Sequence, residues 1–341
     1  MKARATIFSS LNSTTFSVTR VKRSVPLRQF RRPVCSPASQ LSPCLSVLSR
    51  ETRFIHPTLN APLRRDMSSS THSDPTSPPT FEFLRLESDE KNKHLVRVVI
   101  ERTAVHNAFN EQLIAELTSA FRHISSKDYR CCVITGAGSS FSAGADLNWM
   151  KRMASMSQEE NKRDSLQLFD MIYAIKRCPF PVIARINGAA LGGGSGIVAA
   201  CDIGYSIETA TFGFTEVKIG LIPAVISPFV MEKIGRGNCS HYFLTGRRFG
   251  ASEAKSIGLI QESYKTPEEL DAQVERVTAE ICSNGPQATR LCKDLISKVC
   301  DMSIDDPETK EYVARQIASA RASPEGKIGL SAFLEKKKPD W

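Results

Sequence analysis

The sequence predicts an α/β fold with a helical C-terminal subdomain, and three observations support this prediction. Short apolar strands alternate with amphipathic helices between about residues 81 and 266. From residue 267 onward the strand patterns stop, and three helical segments follow with proline near their starts. The 341 residues, 41% of them hydrophobic, suffice for a full core and a second small domain. We therefore expect a core over 81–266 and a helical subdomain over 267–341.

Residues 1–66 differ in charge from the rest of the chain. They hold 12 of the 45 Lys and Arg residues but only two of the 36 acids, Glu51 and Asp66. A basic, serine-rich and acid-poor start is typical of a mitochondrial transit peptide, which predicts a location in the mitochondrial matrix. The alternatives are a retained basic arm that binds polyanions and a start at Met67 that gives a cytosolic form. Residues 67–80, rich in Ser, Thr and Pro, predict a disordered linker.

The elements of the core follow in chain order. FEFLRLE and LVRVVIE alternate apolar and polar residues around a polar turn, which predicts a β-hairpin. NEQLIAELTSAFRHI predicts a helix, because Leu113, Leu117 and Phe121 recur on one face after Asn110, a suitable N-cap. RCCVITGAG then predicts a strand, residues 158–177 a long helix, and PVIARI and IGYSIE two further strands.

Composition argues against several classes of function. Outside residues 1–66, 33 basic residues balance 34 acidic ones, so the folded part lacks the positive charge that nucleic-acid binding requires. No run reaches the about 18 apolar residues of a membrane span, and the best run, 219–231, contains two prolines. The six histidines do not cluster at zinc-ligand spacing, and the ten cysteines form no C-x-x-C pair. We expect no metal, no membrane contact and no nucleic-acid partner.

A glycine-rich segment, INGAALGGGSGIVAACDI at 186–203, carries the main functional signal. It lacks the glycine spacing of dinucleotide-binding and P-loop motifs. Ser195 is not in a nucleophile elbow, because Ile197 stands where G-x-S-x-G requires glycine. Bare backbone that enters a helix can instead present N–H groups to an oxyanion. A second such segment, SSFSAGADLNWM at 139–150, suggests one N–H from each loop on one carbonyl oxygen; close helix–strand packing is the alternative.

Five linked motifs resemble the enoyl-CoA hydratase/isomerase (crotonase) superfamily over about residues 81–341. They are FSAGADL, INGAALGGG with ACDI, TFGFTEVKIGLIP, ASEAKSIGLI and SAFLEKKKPDW, in the family's order. The resemblance implies a ββα spiral core, an acyl-CoA thioester substrate and no cofactor apart from the CoA of that substrate. It also implies trimers or dimers of trimers, with contacts through the C-terminal subdomain. The backbone N–H groups of Ala145 and Gly193 would form the oxyanion hole.

The same resemblance implies which residues bind the acyl-CoA. Those around the two loops are Ala104, His106, Ala108, Ala143, Gly144, Asp146, Leu147 and Gly192. Phe333 and Lys336, on the C-terminal helix, would reach the CoA of a neighbouring subunit. An amphipathic terminal helix without that role is the alternative for this last pair.

The chain departs from typical hydratases of the family at one catalytic position. They carry two glutamates, but the first position is Gly196 here, so Glu216 is the single candidate acid. An apolar acyl pocket would desolvate the Glu216 carboxylate and move its pKa toward working pH. One acid fits a hydratase, in which the proton returns through the same carboxylate or the same water. It also fits a Δ3,Δ2-enoyl-CoA isomerase, in which one base moves a proton along the alkene.

Finer resemblance favours hydration. GGGSGIVAACDI and TEVKIGLIPAVISPFV resemble the bacterial-type methylglutaconyl-CoA hydratases of leucine breakdown, and AVIS replaces a glycine-rich stretch, which indicates a reshaped acyl pocket. The distal carboxylate of that substrate requires a cation, for which the candidates are Lys151, Arg152, Lys218 and Arg236. The alternatives are a broad enoyl-CoA hydratase of fatty-acid β-oxidation and, from another class, an RNA-binding protein.

Overall fold

The computed structural model describes residues 79–90 and 92–341. The predicted transit peptide, 1–66, and all but the end of the predicted linker, 67–80, lie outside the described residues. Within the described part, strands and helices alternate as far as a strand that ends at Tyr264, and four helices follow from Pro267. The predicted α/β architecture with C-terminal helices is therefore confirmed.

Ten short strands form two sheets in the described part of the chain. They are β1 (Leu84–Ser88), β2 (Leu95–Ile100), β3 (Cys131–Gly136), β4 (Ser140–Ser142), β5 (Val182–Ile186), β6 (Ala189–Leu191), β7 (Ile203–Ile207), β8 (Thr211–Gly213), β9 (Arg248–Gly250) and β10 (Glu262–Tyr264). The larger sheet has the order β1-β2-β3-β5-β7-β10, in which only β1 and β2 pair antiparallel. The predicted hairpin and the three predicted strands β3, β5 and β7 are confirmed.

The smaller sheet positions the two small-residue loops. Its order is β4-β6-β8-β9, with β4, β6 and β8 parallel and β9 antiparallel to β8. Each of these strands has three residues, too few for an alternating pattern, and the sequence does not predict them. Since the carboxyl ends of neighbouring parallel strands meet at one edge, the loops that follow β4 and β6 lie side by side.

Helices cover the sheets. They are α1 (Glu111–Ser125), α2 (Leu147–Met153), α3 (Gln158–Lys176), α4 (Gly193–Ala200), α5 (Ser227–Thr245), α6 (Ala251–Ser256), α7 (Pro267–Ser283), α8 (Pro286–Val299), α9 (Pro307–Ala322) and α10 (Pro324–Leu334). Asn110 caps α1 as predicted, because its side chain accepts a hydrogen bond of 2.9 Å from the Leu113 N–H. The sequence does not predict α5, whose helical pattern is interrupted by Gly235 with a φ of 74°. None of these helices is long and apolar enough to cross a membrane.

The C-terminal helices differ in how far they are covered. Leu270 and Val274 of α7 are buried in a cluster with residues of the larger sheet. Against the described residues, α8 and α10 bury no side chain, and α9 buries only Thr309. The prediction that Lys336 lies on the last helix is wrong, since α10 ends at Leu334. Lys336 instead has a φ of 56°, a left-handed conformation that stops a helix from continuing.

Candidate active site

The two small-residue loops contact each other. β4 pairs with β6 through Ser142 and Ala190, and the chain leaves both strands within the next two residues. Gly144 has a φ of 90°, and a Cβ atom added to it would lie 2.8 Å from the Leu191 carbonyl oxygen. Only glycine combines this backbone conformation with so close an approach. The loop 143–146 therefore lies directly against the start of α4.

The backbone of Phe109 determines where the Ala145 N–H points. Phe109 and Ala145 form a parallel bridge. The Phe109 N–H donates to the Gly144 carbonyl at 2.6 Å, and the Asp146 N–H donates to the Phe109 carbonyl at 2.9 Å. Because the residues on either side of Ala145 form both bonds of the bridge, its own N–H is directed away from Phe109. The Ala145 N–H is thus left for a ligand.

The Gly193 N–H lies at the start of α4. Gly192, with a φ of 50°, forms the turn from β6 into this helix and donates its own N–H to the Gly213 carbonyl at 2.8 Å. The first helical bond of α4 runs from the Gly196 N–H to the Gly192 carbonyl at 3.1 Å. The N–H groups before Gly196 therefore have no partner within the helix, and the positive end of the helix dipole lies at Gly193. Adjacent loops thus each present a main-chain donor.

Glu216 lies next to this helix start. It opens a short 3₁₀ helix, Glu216–Ile219, three residues after β8 ends at Gly213. A Cβ atom added to Gly192 would lie 3.3 Å from Oε1 of Glu216, so the carboxylate faces the Gly192 turn. Its other oxygen, Oε2, is buried and has no hydrogen-bond partner among residues 79–90 and 92–341. Burial raises the pKa of Glu216, which prepares the carboxylate to accept a proton.

The position of the missing second acid is filled by an apolar side chain. A Cβ atom added to Gly196 would lie 2.5 Å from Cγ2 of Ile226 and 3.5 Å from Cδ1 of Ile172. Ile226 comes from the AVIS segment and is buried. No larger side chain fits at position 196 unless Ile226 moves. Glu216 is therefore the candidate base at the Gly192 turn, and isoleucine side chains occupy the space beside position 196.

The predicted acyl-CoA residues on the segment before α1 lie beside the loop 143–146. The Ala143 N–H donates to the His106 carbonyl at 2.9 Å, and the His106 ring lies 3.3 Å from the Ser140 hydroxyl. Ala104 is exposed in the 3₁₀ helix Thr103–Val105, whereas Ala108 is buried. Leu147, just after the loop, exposes three quarters of its surface. The two segments thus form one continuous surface next to the candidate donors.

Three residues that the sequence analysis missed hold this surface together. Asn107, in the left-handed region, donates to the Ala137 and Ser140 carbonyls at 2.9 and 2.8 Å. Arg102 lies 3.1 Å from the Asp146 carboxylate in a nearly buried ion pair and also donates to the Ala108 carbonyl. Phe109, described above, is the third. Their signals were weak, because a lone Arg, Asn or Phe before a helix has no spacing that identifies a partner.

Asp146 acts as an N-cap rather than as a free acid. Its side chain accepts the Asn148 and Trp149 N–H groups at the start of α2. Burial works to raise the pKa of Asp146, but these N–H groups and the Arg102 guanidinium outweigh it and lower the pKa. Asp146 therefore stays ionised at neutral pH and fixes the helix that begins directly after Ala145.

The remaining candidates lie further out. Phe333 exposes most of its ring, and Lys336 is exposed beyond α10. Among the four proposed cations, Arg152 pairs with Glu111 at 2.7 Å, and the Lys218 side chain packs over Gly246 at the end of α5. Lys151 and Arg236 are both exposed.

Known proteins match this chain over most of the residues that follow its N-terminal segment. A sequence model of the family described as enoyl-CoA hydratase/isomerase matches residues 90–341. The chain is 31% identical to a crotonyl-CoA hydratase of Syntrophomonas wolfei over 264 residues, which cover 76% of this chain and 98% of that protein. It is 30% identical to the peroxisomal Delta(3,5)-Delta(2,4)-dienoyl-CoA isomerase of Arabidopsis thaliana over 271 residues, which cover 76% of this chain and 96% of that one. The crystal structure of an enoyl-CoA hydratase from Shewanella pealeana matches with a TM-score of 0.73 and 35% identity, covering 76% of this chain and 96% of that one.

Proposed function

This chain belongs to the enoyl-CoA hydratase/isomerase family and has its crotonase fold, and from that premise we propose a hydratase specific for 3-methylglutaconyl-CoA. It would add water across the double bond of this 2-enoyl-CoA, a step of leucine degradation. The observation that carries the proposal is the Glu216 carboxylate, held against the Gly192 turn beside the start of α4. No metal or organic cofactor is needed for this chemistry.

The proposed mechanism uses two backbone donors and one acid. The N–H groups of Ala145 and Gly193 bind the thioester oxygen and stabilise the negative charge that develops there, each contributing roughly 2.7–4 kcal/mol by analogy with other oxyanion holes. Glu216 removes a proton from water while the water oxygen bonds to Cβ, and the π electrons move into an enolate. The enolate then takes the proton from Glu216 at Cα, which restores the thioester and the carboxylate.

The raised pKa of Glu216 supports both halves of this cycle. A carboxylate that is harder to ionise is a stronger base toward water, and its protonated form is available to return the proton. The apolar side chains of Ile226 and Ile172, in the place of a second acid, support a mechanism in which one carboxylate serves twice.

The substrate is proposed on the resemblance of two segments and on the shape of the acyl side. Ile226, from the AVIS segment, forms a buried apolar wall next to α4. Arg152 already pairs with the Glu111 carboxylate, so Lys151, Lys218 and Arg236 are the better candidates for the distal carboxylate of methylglutaconyl-CoA.

A second candidate function is Δ3,Δ2-enoyl-CoA isomerisation. A single candidate acid, with isoleucine side chains beside position 196 in place of a second one, also favours it, because moving a proton between two carbons requires no bound water. A broad enoyl-CoA hydratase of β-oxidation would use the same donors and the same acid.

Absorbance of the conjugated enoyl thioester distinguishes these activities. We expect it to fall when the enzyme meets 3-methylglutaconyl-CoA and to change far less with crotonyl-CoA. Comparable loss with crotonyl-CoA would favour the broad hydratase, and a gain of absorbance from a 3-enoyl-CoA would favour the isomerase. Filter binding of labelled RNA at moderate salt to residues 67–341 tests the RNA-binding alternative, for which we expect no retention.

We also propose the mitochondrial matrix as location and a trimer or dimer of trimers as assembly. The composition of residues 1–66 supports the first, and the mature N-terminus of the protein from isolated mitochondria tests it. Exposed apolar side chains on and around the last three helices support the second; examples are Ile296, Ile304, Ile328 and Phe333. Light scattering of the purified protein measures the assembly directly.

A further inference from the structure

Phe109 contacts both halves of the proposed oxyanion hole. Its main chain forms the bridge to Ala145, with hydrogen bonds of 2.6 Å to the Gly144 carbonyl and 2.9 Å from the Asp146 N–H. These bonds fix the loop 143–146 on both sides of the Ala145 N–H. The segment around Phe109 thus holds the first donor, the Ala145 N–H, in place.

The ring of the same residue lies against the second donor. A Cβ atom added to Gly193 would lie 2.6 Å from Cε2 and 3.0 Å from Cδ2 of Phe109. These distances are too short for any Cβ atom, so the ring edge contacts the Gly193 backbone without a side chain between them. The glycine at position 193 is required by this ring as well as by a ligand.

Phe109 is itself held rigidly. It is 1% exposed, and the residues on either side are fixed by hydrogen bonds. Arg102 donates to the Ala108 carbonyl, and Asn110 caps α1. A buried aromatic ring with two fixed neighbours has little freedom to shift. It therefore provides a constant spacing between two loops that come from separate segments of the chain.

The geometry points to Phe109 as a positioning residue that sets the distance between the Ala145 and Gly193 N–H groups. This inference rests on the proposed function. Two donors stabilise one oxygen only when both lie within hydrogen-bond distance of it, and a displacement of about 1 Å can lower the rate about 100-fold. The Phe109 ring fixes the position of the Gly193 amide, and the Phe109 backbone fixes the position of the Ala145 amide.

A double-variant cycle tests this role. Phe109→Leu should lower kcat by about 10-fold with little change in KM, because the donors act mainly in the transition state. Gly193→Ala should lower kcat by about 100-fold, since its methyl group collides with the ring. The double variant should be faster than Gly193→Ala alone, because leucine lacks the Cε2 atom with which the methyl group collides. Phe109→Met, which keeps the volume without the ring, replaces Phe109→Leu if that variant does not fold.

The control is Phe121→Leu, a change of the same size at a fully buried phenylalanine of α1. It should lower the melting temperature as much as Phe109→Leu does and leave kcat unchanged. If Phe109→Leu and Phe121→Leu have equal kcat, or if the double variant is no faster than Gly193→Ala, Phe109 only fills the core and the inference is wrong.

A spectroscopic measurement separates this inference from the proposed function. A chromophoric enoyl thioester, cinnamoyl-CoA, should show a red shift on binding to the wild type as its carbonyl becomes polarised. The shift should shrink in Phe109→Leu and persist in Phe121→Leu. Absence of both turnover and shift in the wild type would overturn the proposed function and this inference with it. A full shift in Phe109→Leu would overturn the positioning role alone.

Discussion

The loops around Ala145 and Gly193 and the helices α8–α10 differ in how their apolar side chains are covered. Behind the loops, Phe109 and Ile226 are buried at 1% and 3% exposure. On and near the last three helices, Ile296, Ile304 and Phe333 are exposed at 72%, 92% and 77%. The first region is packed within one chain, whereas the second presents to solvent the kind of side chain that usually lies in a core.

This difference separates two tasks of the molecule. The donors and the acid depend on contacts inside one chain, so a single subunit contains the proposed chemistry. In the proposed assembly, a second copy of the chain would cover these exposed apolar side chains. Variants in the first region should therefore change turnover and stability, and variants in the second should change assembly.

The largest effect is expected at Glu216. Glu216→Gln keeps the shape of the side chain but removes the base, so kcat/KM should fall by about 1,000-fold, within the usual range for general acid–base catalysis. Steady-state hydration of the proposed substrate measures this loss. Glu208→Gln, at an exposed acid on the turn after β7, is the control and should retain full activity. A Glu216→Gln enzyme with a tenth of the wild-type rate would show that another group is the base.

Next in size is the loss of the Arg102 ion pair. Arg102→Met should lower the free energy of unfolding by about 3–5 kcal/mol, because it leaves the nearly buried Asp146 carboxylate without its cation. Denaturant titration gives this value. Arg85→Met removes an exposed arginine that also contacts two carboxylates, those of Glu87 and Glu101, and should cost less than about 1 kcal/mol. Equal losses in the two variants would contradict the role assigned to burial.

A smaller loss of stability is expected at the position of the absent second acid. Gly196→Ala places a methyl group 2.5 Å from Cγ2 of Ile226 and should cost about 1–3 kcal/mol by overpacking. Gly237→Ala on α5 is the matched control. Its Cβ atom would meet nothing within 4 Å, so it should be neutral or stabilising by up to about 1 kcal/mol. In Gly196→Ala with Ile226→Ala, the losses should be less than additive, as thermal unfolding of the four proteins can show.

Much of the structure around the loops of Ala145 and Gly193 could be predicted from the sequence. The glycine segments identified both loops, and the resemblance assigned Ala145, Gly193 and Glu216, whose segments lie together in the structure. Hairpin, helix and strand patterns that span five or more residues gave elements close to the observed ones. These predictions worked because period and capping are local properties of the chain.

The contacts that shape the site are not local, and the sequence does not predict them. Ile226 closes the space beside Gly196 from 30 positions away, and Phe109 contacts Gly193 from a more distant segment. Phe109 has the sequence signature of an ordinary core residue before a helix, because no spacing marks which backbone its ring will face. Lys336 illustrates the same limit, since its left-handed φ depends on a helix end that the lysine-rich pattern does not show.

The ionisation of Glu216 links turnover to stability. Its pH-dependent effect on stability should be smaller than the losses expected at Arg102 and Gly196. Burial raises the pKa of Glu216, so ionisation of its carboxylate costs stability in the folded state. Its contribution to stability is fully present below the ordinary pKa of about 4.3 and is lost as pH rises through the raised pKa. Glu216→Gln should therefore melt above the wild type at neutral pH and match it in acid. Melting curves across pH test this, and wild-type kcat/KM should fall on the acid side with a midpoint above about 4.3.

The smallest effect on the chemistry is expected from the C-terminal helices. Ile296→Asp on α8 replaces an exposed side chain, so the stability of the isolated subunit should change by less than about 0.5 kcal/mol. If a second copy covers this face, the buried aspartate should shift the protein toward monomers, because an unpaired charge is costly in an apolar contact. Light scattering over a range of concentrations measures the shift, with Lys310→Asp on α9 as a control at an exposed polar residue. An unchanged mass in Ile296→Asp would place the assembly contact elsewhere. A loss of kcat at a preserved mass would instead show that these helices contribute to the catalytic loops.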